Sequence, residues 1–506
     1  MNPRLCLALV LLVAALVRVW GVDFGLPYLL HPDEPNKISM ARQMFVTGDL
    51  NPHYFKKPTL FIYLNALLYV PYYWVGKVVG SFTDPSDVPA PQVLTMGVGE
   101  MTPGPVVMAR LLTVGFGVVG VYLTYRLSRA VLVRQDVSLL SALLLAISPT
   151  HVANSRYITV NVFLTASVVA VAWASYKLYQ RGRLVDYAVA GSMCGLAVSF
   201  KYPGAIVLVV PVLAHLLRSG RHGSHGRLVL GLAMVPVVFA VLTPFAVLDH
   251  PQFLADTVYE LKHYSTGHPG MEGQALKWYV NYAWRLEGPV FVLAVVWILR
   301  GLLARDRTTQ VVAAFPVIYF GFISSFVVRN DRTFLPLVPF LCIFSAAALV
   351  HVLHRCRASR HAVGCRAMRW LGRWLVAVCA GVLLANTLRA GVWLQRPTSR
   401  ERGATWANAN LAAGSKIAVE SYGPFLSRDA FRVYGVKSAI DHPLEWYVQE
   451  GFDYLFLSEG FYGRYYADPD TYGAEIQQYK GLFGEFPLVA TIPGSDYDLS
   501  VLRVAP

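Results

Sequence analysis

Long apolar runs recur along this chain, and several reach the roughly 20 residues an α-helix needs to cross a bilayer. Hydrophobic residues make up 55% of the 506 and charged ones only 15%, against about a quarter in soluble proteins. The chain therefore reads as an integral membrane protein with about eleven spans. They fall near residues 5–22, 106–130, 137–153, 160–179, 185–200, 203–218, 228–247, 288–304, 310–328, 334–353 and 370–390. The first has the length of a signal peptide. Gly21-Val22-Asp23-Phe24 follows it in place of a small-x-small cleavage site, so it is taken as a retained span.

A net charge of +14 would suit a nucleic-acid-binding protein, but the cations concentrate in short loops between apolar runs. Such loops mark the cytoplasmic side. With the N-terminus inside, the inner loops hold Arg126, Arg129 and Arg134; Lys177, Arg181 and Arg183; Arg218, Arg221 and Arg227; Arg305 and Arg307; and six arginines from Arg355 to Arg373. Residues 23–105, 248–287 and the tail from about 391 then lie outside. The expected location is the inner or plasma membrane, with the bilayer as a partner and no nucleic acid.

The first outer region contains helical signals. Glu34-Pro35-Asn36 opens a helix with proline in its first turn, and Ile38, Ala41, Met44 and Phe45 follow at helical spacing. A second stretch, 58–79, carries Tyr63, Tyr69, Tyr72, Tyr73 and Trp74, aromatics that favour a membrane interface. Two or three helices lying along the outer surface are expected here. The tail differs in composition. It has strand-like runs at Lys416–Ser421, Tyr454–Ser458, Leu488–Ile492 and Leu499–Val504, with helical stretches near 399–412, 442–450 and 472–482. That pattern predicts a membrane domain over 1–395 and a small external α/β domain over 396–506.

Asp33 and Glu34 directly follow the first span. A carboxylate near a low-dielectric surface serves as a general base for an attacking hydroxyl, and a like-charged neighbour raises one pKa of the pair. The competing reading is helix capping before Pro35. Lys56 and Lys57 close the same loop, where two cations bind a lipid phosphate or contact anionic headgroups. The predicted topology puts His151 and Arg156, Lys201 and Tyr202, and Arg332 on that same side. Acid plus cations suits displacement of a phosphate leaving group; the alternative is interfacial snorkelling. His31, Tyr54, His151 and Asn161 are candidates for substrate contacts. Two histidine-containing groups, His354/Cys356/His361/Cys365 and His263/His268/Glu272, match no common metal-ligand spacing.

These residues carry a resemblance. Arg18 to Pro27, then His31-Pro32-Asp33-Glu34-Pro35, resemble the opening of GT-C fold glycosyltransferases, and more narrowly the protein-O-mannosyltransferase and aminoarabinose-transferase group, glycosyltransferase family 39 and its relatives. Lys57-Pro58-Thr59-Leu60 with Tyr63 is similar to that group's Lys-Pro-Pro-Leu segment. Ala109-Arg110-Leu111, Ser148-Pro149 through Ser155-Arg156, Lys201-Tyr202-Pro203-Gly204 and Arg332 to Pro336 also have counterparts, so the likeness spans about 15–350. One departure is Thr159-Val160-Asn161, where the group often has aspartate; asparagine cannot act as a base.

The resemblance implies a mainly α polytopic membrane protein of GT-C type; the outer-face juxtamembrane helices and the small C-terminal α/β soluble domain are read from the residues themselves, and the tail has no clear counterpart in the group. It implies an inverting transferase of a hexosyl or pentosyl group from a polyprenyl-phosphate donor to a hydroxyl of a glycan, lipid or protein acceptor. Asp33 would be the base with Glu34 its partner. Lys56, Lys57, Arg156, Lys201, Tyr202 and Arg332 would serve the donor phosphate. No cofactor is implied, and dependence on a divalent metal stays open. Two rival readings are a lipid-linked sugar transporter or flippase, and a membrane-anchored glycan-binding protein using Tyr447, Tyr454, Tyr462, Tyr465 and Tyr466. Transporters carry acids or broken helices deep in their spans, whereas here charge gathers at one face. A reporter-fusion scan is expected to place fusions after residue 391 outside and fusions in the 126–134 and 218–227 loops inside.

Overall fold

The computed structural model describes residues 2–218, 225–265, 269–358 and 362–504. His361 and His268, and the side chains of Cys356, Cys365 and His263, lie outside the described residues. The chain is mainly helical, and each expected apolar segment folds as helix.

Helix α1 (Pro3–Val19) starts on Asn2, whose side chain accepts from the Arg4 amide at 2.9 Å. Two helices outside the expected spans follow, α2 (Glu34–Thr47) and α3 (Leu60–Val78). Helix α2 carries Pro35 in its first turn and ends on Gly48 at φ 71°, the left-handed position glycine tolerates. Helix α3 packs on α2 and leaves Leu67, Trp74, Val75 and Val78 exposed along its other side, as expected of a helix bedded in an apolar medium.

The bundle continues with α4 (Pro103–Leu132), α5 (Gln135–Ala146), α6 (Pro149–Asn154), α7 (Asn161–Arg181), α8 (Leu184–Phe200), α9 (Val209–Leu217) and α10 (His225–Leu242). The expected span 137–153 is broken between α5 and α6, because Ser148 caps a new helix and Pro149 occupies its first turn. The expected span 203–218 opens as a 3-10 turn, Tyr202–Leu208, before α9. Then come α11 (Phe245–Leu248), α12 (His250–Ser265), α13 (Ala275–Glu287), α14 (Pro289–Leu303), α15 (Arg307–Ser324), α16 (Asp331–Phe334), α17 (Val338–Ala358) and α18 (Ala362–Leu394). By length and composition, five helical segments among the described residues can each cross a membrane alone, and α13 with α14, bent by 118°, can make a sixth. The remaining apolar segments are shorter.

The basic loops meet at one end of this bundle. Arg218 donates to the Leu178 carbonyl at 2.9 Å, Arg227 to Gly182 at 2.8 Å, and Arg134 contacts His354. Asp33, Lys57, Asn161, Lys201 and Arg332 sit at the opposite end.

The tail adds α19 (Ser399–Asn410), α20 (Leu444–Gln449), α21 (Glu459–Tyr462) and α22 (Gly473–Glu485). Two short strands precede α4: β1 (Gln92–Thr95) and β2 (Val98–Glu100), an antiparallel hairpin. The five tail strands are β3 (Lys416–Glu420), β4 (Arg432–Val436), β5 (Tyr454–Ser458), β6 (Leu488–Ile492) and β7 (Leu499–Arg503), in spatial order β4-β3-β5-β7-β6. Strands β4, β3 and β5 are parallel, and β7 and β6 antiparallel. Period-two alternation sends Ile417, Val419 and Phe456 to one core with α19, and Ala418, Leu455 and Leu457 to another with α20 and α22. The first core also contains Val98 of β2, so the tail sheet is packed against the hairpin.

The tyrosines considered as sugar platforms are largely taken up in packing. Tyr447 is fully buried, and its hydroxyl donates to the Ala439 carbonyl at 2.8 Å. Tyr462 and Tyr465 stack near Tyr479, with ring centroids 5.4 and 5.9 Å away.

Candidate active site

The His31-Pro32-Asp33-Glu34 turn leads from α1 into α2. Its upstream part runs alongside the hairpin: the Leu29 amide donates to Gly99 and the Met101 amide to Pro27, both at 2.9 Å. The two adjacent acids then diverge completely.

Glu34 is fully buried. It accepts both arms of the Arg110 guanidinium, at 3.0 Å from Nε and 2.8 Å from Nη2, and the Ile158 amide at 3.0 Å. Arg110 spends its remaining nitrogen on the Val22 and Phe24 carbonyls, each at 2.9 Å, and its guanidinium lies over the Phe24 ring at 3.8 Å. A bidentate charge-assisted pair with every neighbour satisfied is a structural device. Glu34, expected beside Asp33 in the chemistry, is held away from it by this pairing.

Asp33 occupies the cap position of α2, but its side chain makes no capping bond. The carboxylate, 44% exposed, pairs instead with Arg332. Its backbone amide donates to His31 Nδ1 at 3.3 Å, so the imidazole carries its proton on Nε2. Burial, followed by Arg332, Arg110 and Arg400, lowers the His31 pKa to about 3, which keeps the ring neutral. The ring stacks on Tyr157 at 4.6 Å and does not line the cavity.

A cavity of about 330 Å³ opens beside Asp33. Lys37, Tyr54, Lys57, Asn161, Lys201 and Arg332 also line it. Lys57 pairs with Glu260 of α12 at 3.1 Å, Lys201 donates to the Asn161 side-chain oxygen at 3.0 Å, and the Lys37 ammonium lies 4.9 Å from the Tyr54 ring centre. Burial lowers Lys37 and Lys201 to about 8, with the Lys57 charge adding to the effect and Glu260 opposing it. Four cations against Asp33 and Glu260 leave the cavity positive, which suits an anion.

The structure thus gathers Asp33, Lys57, Lys201, Arg332, Tyr54 and Asn161, and turns other expected residues elsewhere. Arg156 is buried against α1, where it donates to the Val17 carbonyl at 2.7 Å. His151 is buried beside Arg18, 2.9 Å from its guanidinium. Tyr202 donates to the Phe55 carbonyl at 2.7 Å, and Lys56 caps the Tyr259 ring at 3.6 Å. Two of these contacts hold backbone and two hold side chains, and none of the four residues lines the cavity. Lys37 was missed, although it lies one turn from Asp33 at the i,i+4 spacing that shares a helix face. Glu260 is 203 residues from Lys57 and left no local signal. Among the described residues no three His, Cys, Asp or Glu side chains gather as metal ligands.

Residues 102–248 match the family model described as dolichyl-phosphate-mannose-protein mannosyltransferase. No curated protein matches the sequence. Among solved structures, the chain is similar to ArnT from Cupriavidus metallidurans bound to undecaprenyl phosphate, with TM-score 0.56, 17% identity and 98% of both chains covered. It is also similar to the apo oligosaccharyltransferase of Archaeoglobus fulgidus, with TM-score 0.56, 13% identity, and 91% of this chain and 70% of that one covered.

Replacing Arg110 by Met leaves Glu34 as an unpaired buried charge and is expected to cost about 3–5 kcal/mol, read as a lowered thermal midpoint in detergent. Asp33→Asn, at a half-exposed side chain, is expected to change stability by no more than about 0.5 kcal/mol.

Proposed function

This chain has the GT-C fold of membrane glycosyltransferases, and we propose that it transfers a sugar from a polyprenyl-phosphate donor to an acceptor hydroxyl, with Asp33 as general base. The observation that carries this reading is the cavity in which Asp33 faces Lys37, Lys57, Lys201 and Arg332. The likeness to a structure holding undecaprenyl phosphate supports a lipid-linked donor.

In this reading the acceptor oxygen attacks the anomeric carbon while its proton passes to an Asp33 carboxylate oxygen. The bond from that carbon to the phosphate oxygen breaks with its electron pair, and the polyprenyl phosphate leaves with an added negative charge. One in-line displacement inverts the anomeric centre. Lys57, Lys201 and Arg332 hold the departing phosphate, and Lys37 supplies a further charge. Preformed cations cost no reorganisation when the charge develops. Without donor, Arg332 neutralises Asp33; a bound phosphate draws the guanidinium toward itself and leaves the carboxylate free to accept a proton. Tyr54 and Asn161 contact the sugar or its phosphate. The reaction takes place on the outer face, with the N-terminus in the cytoplasm and residues 396–506 forming an extracytoplasmic domain.

Asp33→Asn is expected to lower transfer from a polyprenyl-phosphate sugar by about 10²–10⁴-fold, with undecaprenyl phosphate binding kept or strengthened. Full activity in the folded variant removes Asp33 as base. The lysines give a pH dependence. Lys37 and Lys201 are cationic below about 8 and lose their charge above it, so affinity for undecaprenyl phosphate is expected to hold steady from pH 7 to about 8 and to fall at higher pH. Bound phosphate raises the lysine pKa values, so the fall begins near 8 and levels off at those higher values. Calorimetric titration across pH 7–10, with Lys201→Met flattening the profile, checks the sign.

A further inference from the structure

Arg400 lies in the first turn of α19, where the helix dipole disfavours a cation. It is nonetheless 8% exposed. Its Nη1 donates to the Leu30 carbonyl at 2.8 Å and to the Gly97 carbonyl at 3.0 Å, and its Nη2 lies 3.5 Å from Asp496. Leu30 is three residues before Asp33. Gly97 is the hairpin turn, at φ 68°, and a Cβ there would run into the Tyr422 ring. Burying a guanidinium is costly; here one nitrogen, Nη1, grips backbone from two distant segments at once while Nη2 faces Asp496.

The contacts form a chain. The sheet end holds the hairpin through the Tyr422 amide, which donates to Met96 at 2.8 Å, and through the Thr95–Ser421 hydroxyl contact at 3.1 Å. The hairpin holds the loop through Gly99 and Leu29, and His31 holds the Asp33 amide. Arg400 ties the two ends of this chain together. We propose that Arg400 is a positioning residue for Asp33: by fixing the Leu30 carbonyl, the tail segment sets where the Asp33 carboxylate stands at the cavity. The inference rests on Asp33 acting as base, and it gives the tail a part in the reaction without contact with substrate.

Arg400→Met keeps the apolar stem and removes the fork. Arg400→Lys keeps the charge but ends in one nitrogen, which cannot occupy the Nη1 and Nη2 positions together. Asp496→Asn spares both carbonyl bonds. In hydrogen exchange on the full chain in detergent, Arg400→Met is expected to speed exchange at least tenfold in residues 28–34 and 94–100 and to leave β3 and β5 unchanged. With undecaprenyl-phosphate sugars as donors and water standing in for the acceptor, it is expected to lower kcat at least tenfold with KM within twofold. Arg400→Lys should fall between Arg400→Met and wild type, and Asp496→Asn should stay within about threefold of wild type. Unchanged exchange in 28–34, exchange that rises throughout the chain, or kcat within twofold of wild type overturns the proposal. Wild-type undecaprenyl phosphate binding is measured in parallel. Its absence sinks the donor reading, and the exchange result still decides whether Arg400 holds the loop.

Discussion

The Glu34–Arg110 pair is the interaction on which the proposed site depends. Both side chains are fully excluded from solvent, where an unpaired charge costs several kcal/mol, so neither is tolerated without the other. Its five hydrogen bonds reach the start of α2, the start of α4, the carbonyls of residues 22 and 24 and the amide of Ile158. Two of these, the start of α2 and the segment at Ile158, line the cavity, and the pair ties them to α4 and to the end of the first span. The pair also separates two adjacent acids into two roles. Because α2 begins at Glu34, the side chains at 33 and 34 diverge by roughly 100° around the helix axis, and saturating one with Arg110 leaves the other facing the cavity.

The charge pattern of that cavity gives a reason for Asn161. At the place where relatives by resemblance carry aspartate, an amide oxygen accepts from Lys201 at 3.0 Å. An aspartate there would cancel one cation; asparagine orients the ammonium and leaves its charge in place. Arg332 does have a carboxylate partner, Asp33, which is the group to be freed in the proposed reaction. Lys57 has one too, Glu260 at 3.1 Å. In the proposed reaction the phosphate meets Lys37 and Lys201, together with Lys57 and Arg332, each of which is paired with a carboxylate in this structure.

Much of the fold was legible because a bilayer demands a crude and strong signal: apolar runs and basic loops. In the tail, β3, β5, β6 and β7 were readable from β-branched and aromatic runs. Strand β4 was not, because Arg432-Val433-Tyr434-Gly435-Val436 contains a glycine that usually weakens a strand; here it admits the Leu94 carbonyl at 2.7 Å from where a Cβ would stand. The hairpin β1–β2 is too short to show alternation. In the site, the local pair Asp33-Glu34 was legible, but its division of roles was not. That division depends on Arg110, 76 residues away. Arg156 and His151 show the converse: ionisable residues at the expected depth, consumed by helix-end carbonyls and by each other's neighbours.

The tail sheet bears on the choice between a binding module and a brace. In open α/β sheets, ligands bind beyond the carboxyl ends of parallel strands. Here the chain leaving β3 passes through Tyr422, a non-glycine residue at φ 63°, an arrangement that persists only where surrounding contacts enforce it. The enforcing contacts are visible: its amide meets Met96, its ring lies against Gly97, and the Arg464 guanidinium sits 4.6 Å from the ring centre. The hairpin thus occupies the position at which a ligand would otherwise enter, and Gly435 of β4 admits Leu94 beside it. An edge filled by the protein's own first loop is no longer a binding edge. What it transmits instead is position, through the hairpin and Arg400, to the loop that carries Asp33.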